Sequence, residues 1–328
     1  MVTRLLKLAF PLLFIAANAA ILPAADPQVV KVGIYLDHVP ELDLRANSYV
    51  ADFYIWFLWK GDIDPTESLE FTNVLNPQEL SKVAAYADNG GVGKPEKLTD
   101  GRWYQSYHVQ GHFWHPFPIG DYPFDEQDIV IQIEDAKHSS DELAYEVDRR
   151  ETAMRPGMAI PGWHLGPIEA KVDSVHFPTN FGDPRITTSM DTYSHVEFTV
   201  HVSRPRTSLI FKTLVPISII ILITFGAFFC KPQDIDARLC LTITALISAV
   251  ALQYTTSTEL PPTGYLLLID KVYLLSYVVI LVTTFLSIFA NRLEHSGSPE
   301  GARRLDLRGL IGLTVLFFGG TIFFALSR

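Results

Sequence analysis

Ile119-Gly120-Asp121-Tyr122-Pro123-Phe124-Asp125-Glu126-Gln127 is the stretch on which the reading of this chain turns. A proline between two aromatic residues restricts the backbone on both sides, and an acid follows directly, so the segment reads as a rigid turn. Downstream of it, four apolar segments are packed into the C-terminal third. The turn therefore belongs to a polar domain that precedes a membrane bundle.

The chain has 328 residues, a formal net charge of −10 and a mean hydropathy of +0.19, enough for a globular domain plus a small membrane domain. Residues 1–19 read as a secretory signal. Arg4 and Lys7 give the positive start, an apolar run ends at Leu12–Ala16, and Ala17-Asn18-Ala19 fits the small-residue cleavage pattern. Residues 20–206 are then exported and 207–328 form the membrane part. The two cysteines, Cys230 and Cys240, both fall in or beside membrane segments. No disulfide framework or thiolate zinc site is expected in the exported part. The acid excess argues against nucleic acid as a partner and favours cations gathering at a pore mouth.

Between Val29 and Arg206, Gly, Pro, Asn and Asp punctuate short runs of β-branched and aromatic residues. Val30–Leu36, Tyr49–Trp59, Arg102–Trp114, Ile129–Ile133, Ile168–Val175 and Tyr193–Val202 read as strands, and their number and spacing predict a β-sandwich. Tyr49–Trp59 is aromatic on both faces and reads as a central strand. Asn76–Ala87 reads as a short helix, and Asp88–Gly93 as a loop.

Thr207–Phe229, Ile235–Tyr254, Tyr265–Phe289 and Gly309–Leu326 are the four expected spans. The connections around Lys231 and from Arg292 to Arg308 are basic and so face the cytoplasm. That places the sandwich, the Ser257–Gly264 loop and the C-terminus outside, in agreement with the signal segment. The expected fold class is an all-β extracellular sandwich followed by an all-α four-helix transmembrane bundle.

The second span is markedly polar. Stepping by three or four residues collects Asp236, Cys240, Thr244, Ile247, Ala251 and Tyr254 on one stripe. An acidic inner end, hydroxyls in the middle and then an apolar ring suit a cation-selective pore with a dewetting gate. Arg238 is rotated about 200° from Asp236 and should face a neighbouring helix or the cytoplasmic surface. The same polar face also fits hydrogen-bonded glue between packed helices, and composition leaves the two readings level.

These residues together resemble the prokaryotic pentameric ligand-gated ion channels, relatives of the Cys-loop receptors. The likeness covers nearly all of the mature chain. Tyr122-Pro123-Phe124-Asp125 with Gln127 is similar to the family's loop signature, although His115 and Ile129 stand where animal receptors have the flanking cysteines. Arg204 precedes Pro216 with the family's spacing, and Glu259-Leu260-Pro261 matches its linker between the second and third spans. The resemblance implies a homopentamer in membrane lipid with the second span lining a pore for cations, opened by a small extracellular agonist and needing no cofactor. It implies an ion cluster of Asp43, Asp125 and Arg204 where sandwich meets bundle, with Tyr122, Pro123, Phe124, Glu259 and Pro261 in the coupling path.

The ligand site that it implies lies between subunits. Tyr54 and Trp56 match the complementary-face strand, Tyr193 the last aromatic of the capping loop, with Phe177 and Phe181 on the same hairpin and His138 after the signature loop. Aromatic clusters more often fill cores than cage cations, and the family's usual Trp-x-Pro-acid segment is absent between Trp59 and Arg102. His108 and His112 share a strand face, with His115 just beyond, and a proton or a divalent metal could use them. No nucleophile elbow, phosphate loop or zinc helix motif is present, so an enzyme is not expected. The expectation is a ligand-gated cation channel of a bacterial inner membrane; a non-conducting receptor or assembly protein of the same architecture is the alternative.

Overall fold

A computed structural model describes residues 26–85, 93–179, 182, 192–205, 210–258 and 260–327. The signal segment, most of the 88–93 loop, the first residues of the expected first span, Phe181 and Glu259 lie outside the described residues.

Among the described residues the polar domain is a sandwich of eleven strands: β1 (Gln28–Asp43), β2 (Ser48–Trp59), β3 (Leu69–Phe71), β4 (Ser81–Ala84), β5 (Glu96–Lys97), β6 (Trp103–Trp114), β7 (Glu126–Asp135), β8 (Leu143–Val147), β9 (Ala153–Met154), β10 (His164–His176) and β11 (Thr192–Ser203). One sheet has the order β4-β6-β2-β1-β8, with β5 on β6 and β9 on β1; the other has the order β10-β11-β7-β3. β2 is central in its sheet, flanked by β1 and β6, and this explains its density of rings. Tyr49, Ala51, Phe53, Ile55, Phe57 and Trp59 alternate inward and are buried. They meet Ile131 and Ile133 of β7 and Phe198 and Val200 of β11 in the same core. Each of the buried isoleucine, valine and phenylalanine side chains contributes roughly 1.5–3 kcal/mol. Phe53 packs against Phe71 and Phe113, each at a centroid distance of 5.8 Å.

Over its described residues, 76–85, the segment expected to be a helix across Asn76–Ala87 is not one. Its start signals are used in a single turn, with the Glu79 amide donating to the Asn76 carbonyl at 3.1 Å. The chain then enters β4, where Ser81–Ala84 pairs with Gln110–Tyr107 of β6. The free edge of β6 offers a full ladder, which outweighs a short exposed helix.

Among the described residues, four helices are long and apolar enough to cross a membrane. α1 (Val215–Phe225) follows a π turn (Ile210–Leu214) and ends in a tighter 3₁₀ turn (Gly226–Phe229). The wide turn stops just before Pro216, whose missing N–H frees a carbonyl of the turn before it. α2 (Ile235–Thr258) and α3 (Leu268–His295) both run past the ends expected at Tyr254 and Phe289. α4 (Pro299–Leu326) starts at Pro299 rather than Gly309. The basic stretch after Arg292 is therefore mostly helical, with Ser296–Ser298 as the only break. Proline at the first helical position and Glu300 in the first turn favour that early start. α4 lies close on α3: a Cβ on Gly309 would come within 2.7 Å of Leu286 Cδ1.

Candidate pore helix and coupling junction

α2 has two unlike faces. Arg238, Thr242, Ala245 and Ala249 are buried against the rest of the bundle. The small alanines allow the close approach. The stripe Asp236, Cys240, Thr244, Ile247, Ala251 and Tyr254 is exposed throughout, with Ile247 at 65% and Tyr254 at 72%. Within the chain, α2's polar face is thus not consumed as glue. The hydroxyls that are buried are satisfied locally: Thr242 donates to the Leu239 carbonyl, and Ser276, Thr283 and Ser287 on α3 donate one turn back.

Arg238 is wholly buried and faces α4. Its Nη1 donates to Asp306 Oδ1 at 2.9 Å, its Nη2 to Oδ2 at 2.6 Å, and Nη2 also to the Cys230 carbonyl at 2.6 Å. The fork neutralises the cation of α2, so the charge on the exposed stripe is that of Asp236. The α1–α2 turn is pinned further by Asn291 of α3, which donates to the Pro232 carbonyl at 2.8 Å, and by Gln233, which bonds Glu294. Asp306 was missed in the sequence because it sits in a stretch that reads as a basic loop.

Where sandwich meets bundle, the turn between β6 and β7 carries the signature residues. Its Gly120 carbonyl accepts from the Leu268 amide at 3.1 Å, the first residue of α3. The Tyr122–Pro123 peptide bond is cis. Asp125 is buried; its Oδ1 accepts from Arg204 Nε at 3.1 Å and its Oδ2 from Gln127 Nε2 at 2.7 Å. The guanidinium of Arg204 lies over Trp163 at 4.3 Å and over Tyr122 at 5.3 Å. Trp163 has no sequence signal for this contact, being a lone aromatic in a Gly/Pro-rich loop.

Asp43 does not join this pair. Its Oδ1 caps its own turn, accepting from the amides of Arg45 at 2.8 Å and Ala46 at 3.0 Å. The expected three-member cluster is thus corrected to Asp125 and Arg204 among the described residues. Arg45 makes the bridge instead: its Nη1 donates to the Thr258 carbonyl at 3.2 Å, the last residue of α2. Asn47, at a positive φ of 51°, ties the same β1–β2 turn to the signature segment, accepting from His115 N at its carbonyl and from Phe117 N at Oδ1, each at 3.0 Å. Pro261 is half-buried next to buried Leu260 in the α2–α3 linker.

The expected ligand residues form two groups in one chain. Tyr54 and Trp56 lie on the outward face of β2. Tyr54 stacks on His108 at 4.5 Å. Trp56 lies flat over Gly33, where a Cβ would come within 2.4 Å of the ring, and its Nε1 donates to Asp148 at 3.4 Å. On the other sheet, Phe177 and Tyr193 pack edge to face at 5.7 Å. The His138 ring and amide both bond Asp135 Oδ1, and Ser140 two residues on bonds Thr192 at 2.6 Å, so His138 is near the foot of β11. His108 and His112 do share the outward face of β6, but the structure separates their surroundings. His108 Nε2 meets Asp52 Oδ1 at 2.5 Å, whereas His112 is exposed opposite Val50.

A sandwich docked through a signature turn onto four helices long and apolar enough to cross a membrane defines a membrane protein built like a receptor. No family model matches the chain. It is 22% identical over 325 residues to a proton-gated ion channel of Gloeobacter violaceus, spanning 92% of this chain and 84% of that one. It is also 31% identical over 118 residues, 34% of this chain and 24% of the relative, to the neuronal acetylcholine receptor subunit alpha-9 of Gallus gallus. Over nearly its whole length the chain is thus similar to a prokaryotic channel of the pentameric ligand-gated type, and over a third of it to a receptor subunit of the Cys-loop superfamily.

Proposed function

We propose that the chain is a homopentameric, cation-selective channel of a bacterial inner membrane, with its sandwich in the periplasm and five α2 stripes lining one pore. The observation that supports this most is the division of α2: Arg238 is buried and paired with Asp306, while Asp236 is exposed on the stripe. Repeated around a ring, that arrangement presents carboxylates without cations at the inner mouth, which attracts cations and repels anions. Above it, Ile247 narrows the path with an apolar ring that closes by dewetting. Opening starts in the sandwich, at a site between subunits built from Tyr54 and Trp56 of one copy and His138, Phe177 and Tyr193 of the next. It reaches α2 through Arg45, Pro261 and the Asp125–Arg204 pair. Because the Gloeobacter violaceus relative is named a proton-gated channel, the proton is the first agonist to apply.

The test is a bilayer recording of the purified protein in asymmetric salt, with steps in external pH and a panel of amines. The expected result is an agonist-evoked current reversing near the cation equilibrium potential. Asp236→Asn should move the reversal potential toward zero. A current carried by anions, or a selectivity indifferent to Asp236→Asn, would overturn the pore assignment. No current under any agonist, from protein that assembles normally, would favour the non-conducting receptor.

A further inference from the structure

We propose that His38, Asp52 and His108 bind a divalent transition-metal ion of the zinc class on the outward face of the first sheet, with Asp37 orienting His38. The backbone brings these residues together. β1 changes register against β2 between Leu36 and His38, and again between His38 and Glu41, which sets His38 directly across from Asp52. Asp37 is the extra residue of that bulge, and bulges re-aim side chains. His108 is on the other neighbour of β2, diagonal to Asp52, since Asp52 pairs with Gln110 and Tyr54 with His108. Diagonal neighbours on one face are within reach of long side chains.

Asp52 is 6% exposed, and each of its oxygens faces a different imidazole. His108 Nε2 is 2.5 Å from Oδ1, and His38 Nε2 is 3.7 Å from Oδ2. The Asp37, His38 and Asp52 donor atoms all lie within 4.8 Å of one another. His38 Nδ1 meets Asp37 Oδ2 at 3.1 Å, and Arg155 holds the same oxygen at 3.1 Å. A carboxylate on Nδ1 keeps the ring proton there and turns the lone pair of Nε2 outward, as second-shell acids do at metal centres. That lone pair then faces a carboxylate oxygen across a gap too long for a hydrogen bond. A shared cation fits this gap. Ligands at about 2.0–2.1 Å from a tetrahedral ion lie roughly 3.3 Å apart; the two Asp52–imidazole separations, 2.5 and 3.7 Å, lie either side of that value, and binding draws His108, which stands outside the Asp37–His38–Asp52 group, toward His38. The stacking of His108 on Tyr54 limits its rotation. Both imidazoles are close to half exposed, which leaves an entry side and room for a water ligand.

Two imidazoles and one carboxylate suit zinc and its neighbours, whereas calcium and magnesium prefer oxygen alone. The site stands on its own geometry and does not depend on ion conduction.

Calorimetric titration of the full-length protein in detergent with zinc chloride, and absorption spectroscopy with cobalt chloride, test the proposal. The expected result is saturable binding of one ion per chain, with the cobalt spectrum of a low-coordinate nitrogen–oxygen site. His38→Gln, His108→Gln and Asp52→Asn should each weaken binding at least tenfold, while His112→Gln on the same face leaves it unchanged. If Asp52→Asn fails to fold, the two histidine variants, which alter exposed rings, decide the matter. Absence of saturable binding, an unchanged affinity in either His38→Gln or His108→Gln, an equal loss in His112→Gln, or displacement of cobalt by excess calcium would each overturn it. None of these readouts involves current, so a silent channel and a missing metal site give different results.

Discussion

Arg238 and Asp306 lie 68 residues apart in sequence and close a two-bond fork inside the bundle. The pair ties the first turn of α2 to α4, the least buried of the four long helices, and removes the positive charge that would otherwise oppose Asp236. Breaking one half of a buried pair leaves the other charge stranded, at a cost of about 3–5 kcal/mol. Asp306→Asn should therefore lower the thermal stability of the purified protein sharply. Arg238→Met with Asp306→Leu should recover most of the loss. Equal stability of wild type and Asp306→Asn would show that the fork carries no weight.

Ile247 projects from the exposed stripe of α2 and is the large apolar residue midway along it. Ile247→Ala should widen and wet the proposed constriction, giving a standing current without agonist in oocyte recordings. A variant that reaches the surface and stays silent would move the gate elsewhere.

Arg45 joins the sandwich to the end of α2 by one hydrogen bond, and Arg204, at the end of the sandwich, is held to the signature turn and its neighbouring loop by an ion pair and two ring contacts. Allosteric coupling of this kind is worth roughly 1–3 kcal/mol. Arg204→Lys keeps the charge but loses the planar stack, and should shift agonist dose–response by tenfold or more. Arg45→Ala should shift it less, about threefold to tenfold. Neither should alter reversal potential. In an Ile247→Ala background the standing current should persist in both variants, which separates damaged coupling from damaged pores.

His115 sits half-buried at the junction, with its ring edge-on to Phe117 at 6.0 Å. Burial lowers its pKa below the ordinary 6.5. The fold therefore binds this proton less well than the unfolded chain does. Stability is full above the ordinary value and is lost as pH falls through it toward the lower folded value. His201 acts in the opposite sense, because its hydrogen bond to Asp128 raises its pKa. Its contribution is present at acid pH and fades as pH rises through the raised value, and its exposure keeps that contribution small. His115→Gln should flatten the fall in melting temperature between about pH 7 and 5, while His201→Gln should steepen it. No change in the acid limb with His115→Gln would place the sensitivity elsewhere.

The signature turn, the long strands and the four spans were legible because each carries a strong local signal: proline and aromatics, period-two alternation, or a long apolar run. β4 was misread because Asn76 and Pro77 are good helix-start residues, and only the distant edge of β6 makes a strand there preferable. The start of α4 was misplaced because hydropathy marks the lipid-crossing part, while Ser298, Pro299 and Glu300 mark where the helix begins. Arg45, Trp163 and Asp306 were not legible as site residues, since each acts through a partner brought near only by the fold. His38 and Asp52 were hidden for a related reason: a bulge in β1 sets their register, and no spacing rule predicts where a bulge falls.

Arg45 grips the carbonyl end of α2, where the final turn of a helix exposes several unpaired acceptors one after another. A guanidinium has five N–H groups in one plane. As the helix end turns beneath it, the donor can pass from one oxygen to the next without ever letting go. Such a joint is a hinge rather than a rivet: in the proposed channel it would carry push and pull from the sandwich while leaving rotation nearly free.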